Sequence, residues 1–216
     1  MAELDWAEAR RYLGLHKPGG QVDEGTEAAL RASGAELVDT ARPMAVWRRY
    51  PLTWGEGTVA FAGITTASGH LRRHLAGCRE AWLFAATLGA ETDRLLRRWA
   101  VQDMSRAVMV QACAASLLET YCDECCAKLA GEAAAEELFL LTRFSPGYGD
   151  FDIACQRALL EAVEAPKRIG LTATGSMMLS PTKSVTAVIG LTGDGSRCGV
   201  RGCGSCGKGD CAFRRA

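Results

Sequence analysis

The sequence lacks an excess of charge of either sign. Its 25 Lys and Arg residues balance 25 Asp and Glu residues, so the formal net charge at pH 7 is +0. No long basic run stands out either. Proteins that bind nucleic acid without sequence preference do so by neutralising phosphates with clustered Lys and Arg. We therefore expect no nucleic-acid partner.

The sequence also lacks long apolar runs and an export signal. No apolar stretch approaches the roughly 20 residues that a membrane-spanning helix requires, and the amino-terminal stretch MAELDWAEARRYLG is charged and amphipathic, unlike a signal peptide. We expect a cytoplasmic protein without a membrane partner. In that reducing compartment the ten cysteines are predicted to be buried thiols or metal ligands, not disulfides.

Cysteine is abundant, and it concentrates in the carboxyl-terminal stretch CGVRGCGSCGKGDC. The spacing is C-x4-C-x2-C-x4-C, and the intervening glycines let a short chain wrap tightly, so that four thiolates can converge on one ion or cluster. Zinc would make this tail a structural element, whereas an iron–sulfur cluster would suit electron transfer. The alternative is a disordered tail with free thiols. The predicted metal ligands are Cys198, Cys203, Cys206 and Cys211.

Hydrophobic periodicity divides the rest of the chain into helices and strands. Helices are predicted over 3–15, 24–33, 70–77, 90–131 and 151–164, the last one capped by Asp150. Strands are predicted at several places within 35–62, including 37–38, and over 80–87, 169–174 and 185–191. Because helices and strands do not alternate regularly, an α+β fold with an antiparallel sheet is predicted. We assign residues 1–192 to this domain and residues 193–216 to the cysteine-rich tail.

The segment RFSPGYGD, residues 143–150, carries the most specific chemistry in the domain. Arg143 offers a planar fork suited to a carboxylate or phosphate. Gly147 follows Pro146 in a turn and lets a ligand approach the backbone, and Tyr148 adds a flat face with a hydroxyl. Together they suit a small ligand with one anionic end. The alternative is an ordinary turn with a surface arginine.

This segment resembles the signature of the activation domain of vitamin B12-dependent methionine synthase. Further similarity extends over about residues 80–192, in separated segments that follow the family's order. The resemblance implies the fold of that domain, an antiparallel sheet with flanking helices. The matching segments are DMSRAVMV at 103–110, ASLLETY at 115–121, KRIGLT at 167–172, MMLSP at 177–181 and KSVT at 183–186.

The resemblance also implies a site for S-adenosylmethionine. Arg143 would hold the ligand's carboxylate, the backbone around Ser145 and Gly147 would contact the adenosine, and Tyr148 would line the pocket. Glu119 would lie near the ligand's positive groups, because a sulfonium and an ammonium both gain from a nearby carboxylate. The alternative for Glu119 is a solvated helix residue.

The sequence departs from the family in two respects. Ile189 and Gly190 occupy positions in the last strand where the large enzyme has aromatic residues, so part of the pocket must differ. The chain also lacks a D-x-H-x-x-G cobalamin-binding sequence and room for the methyl-transfer barrels. The resemblance therefore implies a free-standing reactivation factor, which uses S-adenosylmethionine for the reductive methylation of cob(II)alamin on a separate corrinoid methyltransferase. A low-potential reductant such as flavodoxin or ferredoxin would be a second partner.

Two other functions remain open on the sequence. One is an iron–sulfur protein that transfers electrons through its tail to a corrinoid, and the other is a binding module that kept the fold for another small ligand. Cys122, Cys125 and Cys126 share one helical stretch, where we interpret them as buried hydrophobic residues in preference to a metal site. His70 and His74 are predicted to have structural or surface roles.

Overall fold

The computed structural model describes residues 3–15 and 23–197. The helices are α1 (Trp6–Tyr12), α2 (Glu24–Thr40), α3 (Gly69–His74), α4 (Ala90–Gln102), α5 (Met104–Ala134), α6 (Cys155–Ala162) and α7 (Ala165–Ile169). The strands are β1 (Met44–Pro51), β2 (Thr53–Gly55), β3 (Thr58–Phe61), β4 (Ile64–Thr66), β5 (Glu80–Thr87), β6 (Phe139–Leu140), β7 (Thr172–Ala173), β8 (Leu179–Ser180) and β9 (Ser184–Thr192). No helix among these residues is both long enough and apolar enough to cross a bilayer.

A four-stranded antiparallel sheet in the order β1-β5-β9-β6 forms the centre of the fold. The two central strands, β5 and β9, are buried on both faces along most of their length. That is why β5 is a nearly continuous apolar run with little alternation. A second sheet, β2-β3-β4, is a short antiparallel meander, and β7 pairs with β8.

The alternation of side chains across the central strands produces two cores, one on each face of the sheet. Phe84 and Ile189 belong to the core covered by α1, α2, α4 and α5. Leu83 and Val188 belong to the opposite core, which residues of α3, α6, α7 and the small sheet complete. The chain is thus an α+β protein with an antiparallel sheet and flanking helices, as the sequence predicts.

The prediction of a strand at 37–38 is wrong, because α2 continues to Thr40. Its buried positions are Leu30, Ser33, Gly34 and Leu37, which follow the helical period of three and four residues. A Cβ at Gly34 would lie 2.5 Å from the Trp6 ring, so α1 packs directly on α2 at this point. A short apolar pair such as Leu37-Val38 does not distinguish a strand from the end of a helix.

Aspartate caps set helix boundaries that the periodicity alone did not predict. Asp103 has extended backbone angles and accepts hydrogen bonds from the backbone amides of Ser105 and Arg106, which divides the predicted helix 90–131 into α4 and α5. Asp5 caps α1 in the same way, accepting from Glu8, so α1 begins at Trp6.

The region after residue 150 differs from its prediction in two places. Asp150 does not cap the helix that follows it, and that helix, α6, begins only at Cys155. The predicted strand 169–174 is mostly the end of α7, the left-handed cap Gly170 and the two-residue strand β7. The strands predicted over 80–87 and 185–191 are confirmed as β5 and β9.

Candidate functional site: a charged cluster on helix 5 and the loop that closes it

Helix α5 presents two carboxylates beside the loop 143–150. Glu119 and Asp123 stand four residues apart, so they share one face of the helix. The neighbouring positions Cys122 and Leu118 turn inward and are buried. One face of α5 therefore packs into the core, and the two carboxylates lie at the boundary between this buried face and solvent.

Arg143 connects the loop to this helix. Its Nη2 donates to Oε2 of Glu119 at 2.6 Å, and its Nη1 donates to Oδ1 of Asp123 at 2.9 Å. The same Nη1 lies 3.7 Å from Sγ of Cys126. The Arg143 side chain is 19% exposed, against 36% for Glu119 and 51% for Asp123. The guanidinium thus lies beneath its two carboxylates, which face solvent.

The charge of this cluster is negative. Burial alone would lower the pKa of Arg143, but the negative charges of its two carboxylate partners help to outweigh burial, and the pKa of Arg143 is raised above the ordinary value. Burial raises the pKa of Cys126, so this thiol is neutral at pH 7. One guanidinium with two paired carboxylates leaves a net charge of −1 at neutral pH.

The loop after Arg143 is held by its own backbone. Phe144 is buried and forms an isolated antiparallel bridge with Val188, with N–O distances of 3.0 and 2.8 Å. The Gly147 amide donates to the Phe151 carbonyl at 2.7 Å. The φ angle of Gly147 is +86°, in the left-handed region that favours glycine. The loop is therefore joined to the edge of the central sheet and turns sharply at Gly147.

Asp150 ties the other end of the loop to the first turn of α3. Its carboxylate accepts hydrogen bonds from the Ser68 hydroxyl and from the backbone amides of Gly69 (2.7 Å) and His70 (3.1 Å). These bonds, the Ser68 hydroxyl first among them, lower the pKa of Asp150 to about 2. A Cβ at Gly149, whose φ is +60°, would lie 2.5 Å from Nδ1 of His70, so the close approach of loop and helix requires glycine.

The two histidines take structural roles in the same region, as the sequence predicts. Nε2 of His74 donates to the Thr142 carbonyl at 2.9 Å, and burial lowers the pKa of His74. Nδ1 of His70 accepts from the Asp150 amide at 3.2 Å. Both rings therefore support the backbone on either side of the loop.

The structure brings together some of the predicted ligand-binding residues. Arg143 and Glu119 are in direct contact, while Ser145, Gly147 and Tyr148 follow in the loop. Tyr148 is 68% exposed, and its ring stands edge-on to that of Phe144, with centroids 5.3 Å apart. It lies at the surface of the loop, available to a ligand or a partner.

Sequence reasoning missed Asp123, and it interpreted Cys126 as a buried hydrophobic residue, whereas Cys126 is only partly buried and lies beside Arg143. Asp123 stands one helical turn after Glu119, and Cys126 three residues further along the same face. That spacing was a usable signal, because a helix that presents one carboxylate to a ligand presents its i+4 neighbour as well. The contact of both residues with Arg143 is visible only in the folded chain.

The last strand, β9, is closely packed at the two positions where the sequence departs from the family that it resembles. Ile189 and Gly190 are both buried, on opposite faces of β9. A Cβ at Gly190 would lie 2.8 Å from Sγ of Cys78 and 2.9 Å from side-chain carbons of Leu75 and Leu141. A larger residue has no room at position 190 in this packing.

The predicted metal ligands Cys198, Cys203, Cys206 and Cys211 lie outside the described residues. Within residues 3–15 and 23–197, no group of three or more His, Cys, Asp or Glu side chains could hold a metal ion. Cys122 and Cys125 are buried in the core, in agreement with their interpretation as small hydrophobic residues.

An apolar groove between α4 and α5 is a separate concave feature. Its volume is about 520 Å³. Leu96, Ala100, Met104 and Val108 supply its apolar lining, and Asp93 lies at its edge. The Thr182 amide donates to both carboxylate oxygens of Asp93, at 3.1 Å to Oδ1 and 3.0 Å to Oδ2. Among the described residues that line it, Asp93 and Arg97 are the charged ones and most of the others are apolar, so we take the Arg143 cluster, which also joins the predicted ligand-binding residues, as the candidate site.

Comparison with known proteins supports the fold by structure alone. No family model matches the chain, and no curated protein matches it. Among solved structures, the chain is similar to the crystal structure of the MetH reactivation domain bound to AdoHcy, with a TM-score of 0.62 and 18% sequence identity. The match covers 87% of this chain and 73% of that chain. The chain therefore has the fold of that domain, as the sequence resemblance implies.

Proposed function

We propose that the protein is a free-standing reactivation factor for a cobalamin-dependent methyltransferase and that it binds S-adenosylmethionine at the Arg143 cluster. The observation that carries the proposal is the structural likeness to a reactivation domain solved with AdoHcy, over 87% of the chain. The contact between Arg143 and Glu119, two residues that the resemblance assigns to one site, supports the location.

The cluster offers complementary groups to the amino-acid end of the ligand. Nε of Arg143 makes no hydrogen bond within the described part of the chain, so the guanidinium retains a donor for the ligand's carboxylate. Glu119 faces the ammonium and sulfonium groups. A partly buried site strengthens both attractions, because less water screens them.

The loop supplies the remaining contacts. The Gly147 amide already donates to the Phe151 carbonyl, and Cδ1 of Ile153 lies 3.1 Å from where a Cβ of Gly147 would stand, so an adenosine at this position would contact the Gly147 carbonyl. The Ser145 backbone lies next to it, and its carbonyl accepts from the Tyr148 amide at 3.1 Å. The Tyr148 ring would then close the pocket from the solvent side.

The chain's part in the reaction is to position the methyl group. Cobalamin on the partner protein, reduced by a low-potential electron donor, supplies the nucleophile that takes the methyl group. The residues of the site hold the sulfonium in place and orient it, a contribution of proximity that requires no proton transfer. Arg143 and Glu119 act as binding residues in this scheme.

Calorimetric titration of the purified protein with S-adenosylmethionine, in the presence and absence of the corrinoid protein, tests the proposal. We expect binding by the wild type and about 100-fold weaker binding by Arg143→Ala, because a charge-assisted fork to a carboxylate is lost. Arg48→Ala is the matched control, since Arg48 pairs with Glu164 at 2.7 Å away from the loop. Absence of binding by the wild type under both conditions would refute the proposal.

The cysteine-rich tail calls for an independent measurement. We propose that Cys198, Cys203, Cys206 and Cys211 bind zinc or an iron–sulfur cluster, on the basis of their spacing and the glycines between them. Metal analysis and a visible absorption spectrum of anaerobically purified protein separate the two. A cluster would favour direct participation in electron transfer to the corrinoid, whereas zinc would favour a structural tail.

A further inference from the structure

We infer that Asp123 makes the site selective for the sulfonium of S-adenosylmethionine over the neutral thioether of S-adenosylhomocysteine. This inference rests on the proposed function and adds a residue that the sequence resemblance does not include. It starts from the count of charges around Arg143. Glu119 alone would neutralise the guanidinium, so the second carboxylate, Asp123, is in excess.

Asp123 is placed to act on a ligand. It contacts Arg143 through Oδ1, while its Oδ2 has no hydrogen-bond partner among the described residues. Its side chain is 51% exposed, the most open of the three charged groups. The structure shows no second cation paired with either carboxylate within residues 3–15 and 23–197. The excess negative charge is therefore exposed to solvent, where a ligand can reach it.

The chemistry of the ligand places its sulfur within reach of this charge. Three carbon atoms separate the carboxylate of S-adenosylmethionine from its sulfur, so the sulfur lies at most about 5 Å from the ligand's own carboxylate. If Arg143 holds that carboxylate, the sulfonium and Asp123, which contacts the same guanidinium, are about 10 Å apart or less. Over such a distance two opposite charges in a partly desolvated site still attract, whereas a neutral thioether gains nothing comparable.

The two ligands differ in net charge by one unit. S-adenosylmethionine carries one net positive charge, which complements the net charge of −1 of the cluster. Transfer of the methyl group breaks the carbon–sulfur bond and leaves its electron pair on sulfur, so the product is neutral. The excess charge would therefore hold the substrate and favour release of the product.

The test compares the dissociation constants of both ligands for the wild type, Asp123→Asn and Asp123→Glu. We expect the wild type to prefer S-adenosylmethionine about tenfold, Asp123→Asn to lose most of this preference, and Asp123→Glu to keep it. The ratio is the informative quantity, because both ligands share the same carboxylate, ammonium and adenosine. Any change in how Arg143 holds the carboxylate therefore cancels.

Asp39→Asn is the matched control, since Asp39 is exposed on α2 and its carboxylate makes no hydrogen bond within the described residues. It should leave the ratio unchanged. The wild-type ratio should also fall as salt concentration rises, because screening weakens the sulfonium attraction. An unchanged ratio in Asp123→Asn would overturn the inference while leaving the proposed function intact. Failure of the wild type to bind either ligand would instead remove the proposed function itself.

Discussion

A charged side chain holds each end of the loop 143–150, but the two ends differ in how many of the charged groups have matching partners. At one end, Arg143 is shared by two carboxylates, each with one oxygen that has no hydrogen-bond partner within residues 3–15 and 23–197, and together they carry an excess negative charge. At the other end, Asp150 accepts three hydrogen bonds from the Ser68 hydroxyl and two amides at the start of α3. An anchor whose charge is matched by its partners serves the fold, whereas an anchor with surplus charge can also recognise a ligand.

Among variants at the two ends of the loop, the largest loss of stability is expected from Gly149→Ala, next to Asp150. The new Cβ would lie 2.5 Å from Nδ1 of His70, and the φ of +60° is unfavourable for alanine. We expect a loss of about 2–3 kcal/mol in the free energy of unfolding, measured by urea denaturation.

The control is Gly131→Ala in α5, where the Cβ meets nothing within 4 Å. There we expect a gain of up to about 1 kcal/mol. Equal effects at the two positions would contradict the close approach of loop and α3.

A second, smaller effect is expected from the pH dependence of the Asp150 anchor. The pKa of Asp150 is about 2 in the folded protein, below the roughly 3.9 of an unfolded chain. Its stabilising contribution is therefore complete above about pH 4 and disappears as pH falls from about 4 to about 2. Asp150→Asn should have a lower urea midpoint than the wild type at pH 6, and the difference should shrink toward pH 2. A difference that does not vary with pH would argue against this anchor.

The smallest effect is expected from Cys126→Ser, which tests whether the thiol beside Arg143 contributes. Its Sγ is a weak acceptor at 3.7 Å from Nη1, and the side chain is only partly buried. We expect a change in stability below about 0.5 kcal/mol and unchanged ligand binding. Cys122→Ser is the contrasting variant, because Cys122 is 1% exposed. Burying a hydroxyl there should cost about 1–2 kcal/mol, and similar losses for both variants would show that Cys126 is part of the core.

The predictability of the fold differs between elements for a physical reason. The strands β5 and β9 could be predicted because both faces are buried, so their sequences are continuous apolar runs. The end of α2 could not, since the pair Leu37-Val38 suits a strand or a helix equally. The break at Asp103 was missed because the periodicity continues across it, although an aspartate is a favoured cap.

The candidate site, like the fold, could be predicted only in part: its loop residues from the local sequence, but not the contacts between distant residues. The loop with Arg143, Gly147 and Tyr148 is marked by residues whose conformational and chemical properties are local. The resemblance, and not the pattern, assigned Arg143 and Glu119 to one site, and their direct contact, 24 residues apart, is seen only in the folded chain. Asp123 needed the folded chain, because only there do two carboxylates meet one guanidinium.

Local sequence was enough to specify the secondary-structure class, the apolar central strands and the glycine turns of the loop, since each depends on neighbours within a few residues. Tertiary structure alone decided that Asp150 caps a helix some 80 residues earlier and that Arg143 carries two carboxylates. Hydrogen bonds and ion pairs act over about 3 Å, and a chain folded only locally does not specify which distant groups come that close. The charge balance of the site is therefore a property of the packed helix and loop together.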